Sequence, residues 1–95
     1  MNKHWDVHKS LKTKTIKELA KEMFDYYKND KKELFKFLHA IMCRKDMWQV
    51  AYGRNIELEI QTRGTLKTNS EGCAGNIAIY KELYDELYNL MYQYM

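Results

Sequence analysis

The C-terminal stretch of residues 76–95 constrains the fold most strongly, because apolar side chains cover more than one face of the helix that it predicts. One stripe with three-four spacing predicts a core seam: Tyr80, Leu83, Leu87, Leu90 and Tyr94. A second stripe lies beside the first: Ile77, Tyr84, Tyr88, Met91 and Met95. A surface helix in one small domain seldom needs so wide an apolar arc. The pattern therefore raises the question of what the second stripe contacts.

Two further helices are predicted upstream, each with its own start signal. Thr15 and Glu18 form the pattern of a capping box, and Asp30 with Glu33 repeats it. Apolar residues at three-four spacing follow both signals, up to Tyr27 in the first helix and up to Met42 in the second. The pattern indicates two short antiparallel helices joined by a tight turn.

Residues 46–61 favour a β-hairpin. Trp48, Val50 and Tyr52 alternate with polar or small residues, and the stretch NIELEIQTR that follows alternates clearly from residue 56 to residue 60. Gly53 would then form the turn, and a short third strand is expected at residues 65–68. The alternative for residues 46–52 is that they extend the second helix, with Trp48 and Tyr52 on the same face as Ile41.

These patterns predict an α+β fold with two N-terminal helices, a β-hairpin and a long C-terminal helix that Asn76 caps. A mainly α-helical fold with a minor hairpin is the alternative. The length of 95 residues predicts one domain. We expect residues 1–14 to form a basic lead-in and residues 15–95 to form the single globular domain.

Composition narrows the class of protein and its setting. Two cysteines do not make a disulfide framework, and the polar N-terminus lacks the apolar core of a signal peptide. No apolar run is long enough to span a membrane. The sequence therefore predicts a cytoplasmic protein with free thiols and no membrane partner.

The tyrosines of the last helix have three interpretations. Their rings can line the edge of the core with the hydroxyls in water, they can form a protein-binding surface, or they can stack on bases. The acidic residues of this helix oppose the third interpretation, because they repel phosphate. The residues predicted to bind a protein partner are Tyr84, Tyr88, Met91, Tyr92 and Met95.

Charge is distributed unevenly along the chain. Residues 1–54 carry thirteen Lys and Arg against seven Asp and Glu, whereas residues 55–95 carry three against six. A basic front can bind nucleic acid or an acidic partner, although interleaved carboxylates favour a solvated helix face. The residues predicted for this role are Lys9, Lys12, Lys14, Lys17, Arg44, Lys45, Arg54 and Arg63.

Neither metal binding nor catalysis is predicted. His4 and His8, and also His39 and Cys43, have helical i,i+4 spacing, but a structural zinc site needs two convincing ligand pairs. Cys73 lies among glycines before a helix, yet no spacing selects one histidine as its base. We therefore expect a non-enzymatic chain with no metal and no cofactor.

The small size, the lack of catalytic motifs and the charge asymmetry resemble the small inhibitors that phages and mobile elements direct at host nucleic-acid machinery. Anti-CRISPR and anti-restriction proteins are of this type. The resemblance implies an inhibitor or adaptor that binds a protein, such as a nucleic-acid-handling complex, and occludes its surface. The alternative is a small DNA- or RNA-binding regulator that uses the basic N-terminal half. A homodimer through the last helix would also explain its wide apolar arc.

Overall fold

Residues 4–94 are described by a computed structural model, and the regular structure within this range is entirely helical. The helices are α1 (Val7–Ser10), α2 (Ile16–Tyr27), α3 (Lys31–Gln61) and α4 (Ser70–Tyr94). The two long helices, α3 and α4, run antiparallel and pack along each other, and α2 packs mainly on α4. The molecule is elongated, with extents of 51 × 26 × 24 Å.

The predicted starts of α2 and α3 are confirmed. The Thr15 hydroxyl accepts from the Glu18 amide at 3.1 Å, and the Glu18 carboxylate accepts from the Thr15 amide at 3.2 Å, which is a complete capping box. The Asp30 carboxylate likewise accepts from the Glu33 amide at 3.2 Å. Each cap satisfies amides that the first turn of a helix leaves without a backbone partner.

The predicted α+β fold is wrong, because residues 4–94 contain no strand and α3 runs without a break to Gln61. The mainly helical alternative is correct, apart from its minor hairpin. The alternation from residue 56 to residue 60 misled the prediction. In the helix these side chains separate: Ile56 is half-buried, whereas Leu58 and Ile60 are 42% and 71% exposed. Gly53 does not form a turn but lies within α3. A glycine inside a helix costs about 1 kcal/mol of stability, and the packing of α3 along α4 can offset this cost.

The connection from α3 to α4 also differs from the prediction. Arg63 and Gly64 adopt positive φ angles of 53° and 82°, and the Gly64 amide donates to the Glu59 carbonyl at 2.9 Å. This left-handed pair ends α3, as glycine commonly does after a helix. Residues 65–68, predicted as a strand, form an irregular connection. Asn76 does not cap α4, because the helix starts six residues earlier at Ser70.

Two halves of the molecule differ in packing. The three-helix half comprises residues 4–44 and 80–94, and it contains the whole buried core cluster. The two-helix half comprises residues 45–79, in which only Cys73 is buried. Trp48 and Ile79 pack against the edge of the core and mark the boundary between the halves.

The N-terminal segment completes the three-helix half. Trp5 donates from its indole nitrogen to the Tyr27 hydroxyl at 3.2 Å, and its ring lies 6.2 Å from that of Phe37. Val7 is buried in the core cluster. Part of the stretch predicted as a basic lead-in therefore packs against α2 and α3.

Candidate protein-binding surface

The tyrosines at every fourth position of α4 turn gradually from the core to the solvent. A residue four positions along an α-helix is rotated by about 40° from the first, so such a ladder winds around the helix. Tyr80 is 9% exposed, Tyr84 is half-buried, Tyr88 is 45% exposed and Tyr92 is 81% exposed. The core-edge interpretation thus describes the start of the ladder, and its last two members lie on the surface.

The outer part of the ladder is ordered by ring contacts. The rings of Tyr84 and Tyr88 stack with their centroids 6.2 Å apart and their planes 16° apart. Met91 packs against the core cluster and is half-buried. Stacking of this kind holds the rings in place at low entropic cost, which suits a surface that contacts a partner.

Phe35 extends this surface from α3. It lines a cavity of about 390 Å³ together with Lys31, Leu34, Met91 and Tyr92. The ring of Phe35 is 56% exposed although it is large and apolar. We call Phe35, Tyr84, Tyr88, Met91 and Tyr92 the tyrosine surface. Met95, the remaining residue predicted to bind a partner, lies outside the described residues.

Phe35 is not among the residues predicted to bind a partner, because Leu34, Phe37 and Leu38 already account for the buried face of α3. A signal for it was present. Phe35 is a large apolar residue outside the core stripe, next to Lys36 and four residues after Lys31, and such a residue has no role in the core of its own domain.

Tyr94 differs from its prediction as a member of the core seam. Its side chain is 67% exposed, and its ring centroid lies 6.1 Å from that of Phe24 on α2. The Lys21 ammonium lies 5.9 Å from the same ring. Tyr94 therefore belongs to the side of α4 that faces α2, whereas Tyr92 belongs to the side that faces α3.

The basic residues predicted to bind nucleic acid or an acidic partner lie at several separate positions on the surface. Lys9, Lys12 and Lys14 line one cavity of about 690 Å³ with Asp6 and the polar residues of the same segment. Lys17 is exposed on the first turn of α2. Lys14 forms an ion pair with Glu22.

Three of the other four predicted basic residues lie on α3, and the fourth lies just after it. Arg44 lines a cavity with Trp5 and Val7, and Lys45 pairs with Asp46 at 3.9 Å. Arg54 is exposed, and Arg63 lies just after the end of the helix. At 1.5 Å per residue, Arg44 and Arg63 are separated by about 28 Å along the helix axis, so these residues do not form one compact cluster.

Glu59 fastens the connection between the two long helices. Its carboxylate accepts from the Thr68 amide at 3.2 Å, from the Thr68 hydroxyl at 3.0 Å and from the Ser70 hydroxyl at 3.3 Å. The hydrogen bond from the Thr68 amide, followed by that from the Thr68 hydroxyl, lowers the pKa of Glu59 below its ordinary value. The negative charge also lies near the start of α4, where the helix dipole favours it.

Possible metal ligands and nucleophiles do not assemble into a site. Within residues 4–94, no three His, Cys, Asp or Glu side chains are grouped so that they could hold a metal ion. Cys43 Sγ lies 3.5 Å from His39 Nε2 on the exposed side of α3. Cys73 is buried, and the Asn55 amide group donates to its sulfur at 3.6 Å.

No protein family, curated protein or solved structure matches this chain significantly. Among the helices of residues 4–94, none combines the length and the apolar character needed to cross a bilayer.

Proposed function

We propose that this chain is a small non-catalytic inhibitor or adaptor that binds a protein through the tyrosine surface. The observation that carries the proposal is the exposure of Phe35 and Tyr92 around one cavity on two adjacent helices, with the exposed Tyr88 one turn before Tyr92 on α4. Tyrosine, phenylalanine and methionine are enriched where proteins bind one another, because they bury a large area with few rotatable bonds.

The proposed mechanism is occlusion. The tyrosine surface would cover an assembly surface or a nucleic-acid channel of the partner, as phage-type anti-CRISPR and anti-restriction inhibitors do. Lys31 borders the cavity beside Phe35 and would favour a partner with acidic residues around an apolar centre. The proposal includes a cytoplasmic setting, which the free thiols of Cys43 and Cys73 support.

The test is capture of a partner from a bacterial lysate with tagged protein after nuclease treatment. Tyr88→Ala with Tyr92→Ala should abolish capture and preserve the helix content, because both rings are already exposed. Tyr94→Ala is the matched control: it also removes an exposed tyrosine from the last turns of α4, but on the side that faces α2. Equal capture by all three proteins would contradict the proposal.

Nucleic-acid binding is the second candidate, and the shared cavity of Lys9, Lys12 and Lys14 favours it. Each lysine that contacts a phosphate releases counterions, so affinity would fall steeply with salt. Replacement of Lys9 and Lys12 by Gln should reduce this salt dependence if the candidate is correct. Binding of RNA or DNA that does not change with salt would exclude it.

A further inference from the structure

We propose that the two-helix half is the interface of a homodimer, in which the same half of a second copy covers it. The inference concerns a different surface from the tyrosine surface and does not depend on it. The first observation is that, within residues 4–94, no third helix packs on the two helices of residues 45–79, where Cys73 is the only buried residue.

In the three-helix half, one side of α3 borders the N-terminal segment and α2, and Ala40 and Arg44 on this side remain exposed. There, Ala40 and Arg44 line a cavity with Trp5 and Val7 of the N-terminal segment and with Met23 of α2. With 3.6 residues per turn, the side chains at positions 47, 51 and 58 point within about 20° of the direction of Ala40. Beyond the N-terminal segment and α2, the same side of α3 presents Met47, Ala51 and Leu58.

These side chains are apolar and accessible. Met47 is 50% exposed, Leu58 is 42% exposed and Ala51 between them is half-buried. On α4, the side that faces α2 carries Leu83 and Leu87 in the three-helix half and continues with Asn76 and Gly72. The Asn69 side chain already occupies the space beside Gly72, 2.5 Å from where a Cβ atom would lie, so the accessible part of this surface is on α3. The two helices thus offer a shallow trough whose α3 side is apolar and exposed.

Charge favours a second copy as the occupant. Residues 45–79 carry four basic residues (Lys45, Arg54, Arg63, Lys67) and four acidic residues (Asp46, Glu57, Glu59, Glu71). The half is therefore neutral, although the whole chain carries a formal charge of +3. A neutral surface with both signs can meet its own copy about a two-fold axis without net repulsion.

The available area is also suitable. Residues 45–61 of α3 extend about 25 Å, and two packed helices are about 20 Å wide, so each copy offers roughly 500 Å² of projected surface. The accessible area is larger than the projection because side chains protrude. It approaches the ~600 Å² per partner at the lower end of specific interfaces. A second copy is also present whenever this chain folds, which suits a half that has no core of its own.

The proposed dimer leaves the tyrosine surface free. Phe35 points about 140° away from Ala40 around α3, and hence away from the trough. Two tyrosine surfaces would therefore be presented by each dimer, and binding to a partner with repeated subunits would gain from both.

The test is the mass of the purified protein in solution, measured by light scattering over a wide range of concentrations. We expect the mass of two 11.5-kDa chains, and we expect it to persist in high salt because the interface is apolar. Leu58→Glu should give the mass of one chain. Ile60→Glu is the matched control, because it lies on the same helix turn but points about 160° away from Ala40.

The outcomes are decisive in either direction. A wild-type protein that remains a single chain at every concentration would overturn the proposal, as would a dimer that both Leu58→Glu and Met47→Glu leave intact. Circular dichroism verifies that each variant keeps its helix content. If Leu58→Glu does not fold, Met47→Glu alone decides, since half of its side chain is already in solvent. Loss of partner capture without loss of the dimer, or the reverse, separates this proposal from the proposed function.

Discussion

The two ends of α3 belong to the same helix but have different surroundings. From Leu34 to Ile41 the helix packs against α2, α4 and the N-terminal segment, and Leu34, Leu38 and Ile41 are at most 4% exposed. From residue 45 to Gln61 it packs mainly against α4, and several large apolar side chains are exposed to solvent. A long helix can thus be held by the core at one end and leave apolar side chains exposed at the other.

Backbone composition strengthens the contrast. All four glycines of the chain lie between residues 53 and 75, and the three-helix half contains none. Glycine within a helix costs about 1 kcal/mol relative to alanine, chiefly through the entropy of the unfolded chain. The two-helix half therefore combines few buried contacts with a backbone that is less inclined to stay helical.

The largest effect is expected from Leu83→Ala in the three-helix half. Leu83 is fully buried in the core cluster, so its truncation should lower the free energy of unfolding by about 3 kcal/mol. Ile60→Ala, the control in the two-helix half, should change it by less than about 0.5 kcal/mol because this side chain is mostly in solvent. Urea unfolding followed by circular dichroism measures both, and equal losses would contradict the division into two halves.

A smaller loss is expected from Trp5→Ala. The ring packs on Phe37 and donates a hydrogen bond to Tyr27, but it is only partly buried, so we expect a loss of about 2 kcal/mol in unfolding free energy. Trp5→Phe keeps most of the ring packing and should lose about 1 kcal/mol. If thermal unfolding of Trp5→Ala matched that of wild type, the N-terminal segment would not be part of the core.

Gly53→Ala should stabilise the protein by about 0.5–1 kcal/mol. A Cβ atom at this position meets no atom within 4 Å, and the backbone is helical. Gly64→Ala is the contrasting variant, because a φ of 82° disfavours any residue with a Cβ, and it should destabilise the protein. Thermal melts that move in the same direction for both variants would show that backbone entropy does not limit the two-helix half.

The smallest effect concerns Glu59 and its pH dependence. Because its pKa is lowered in the folded protein, the carboxylate contributes stability that is present above the ordinary pKa of glutamate. That contribution is lost as the pH falls through the lower folded value. Protection of the Thr68 amide, measured relative to its intrinsic exchange rate at the same pH, should therefore fall upon acidification, and Glu59→Gln should weaken this dependence. Glu57→Gln is the control, since Glu57 bonds only to Gln61 among the contacts described for it.

The sequence predicted the parts of the fold that depend on local chemistry. The capping residues Thr15 and Asp30 act within one turn, so their effect is visible in the sequence, and the buried seam from Tyr80 to Leu87 follows from helical spacing. The increasing exposure from Tyr80 to Tyr92 could also have been predicted, because residues four positions apart are rotated by about 40° around the helix.

The extension of α3 was not predictable in the same way. Apolar and polar residues alternate from residue 56 to residue 60, as they do in a strand. The helix is favoured here by packing along α4, which is a tertiary effect. Phe35 joined the candidate surface only when the antiparallel pairing of α3 and α4 placed it beside Met91 and Tyr92. Contacts between residues so far apart in sequence leave no pattern in a single chain.

Hydrogen exchange at several protein concentrations tests most directly the claim that the chain covers one half and a second copy covers the other. We expect the amides of residues 34–41 to be strongly protected at every concentration, whereas protection of residues 48–61 should fall upon dilution as dimers dissociate. Protection of residues 48–61 that equals that of residues 34–41 and does not change with concentration would show that no second copy covers the two-helix half.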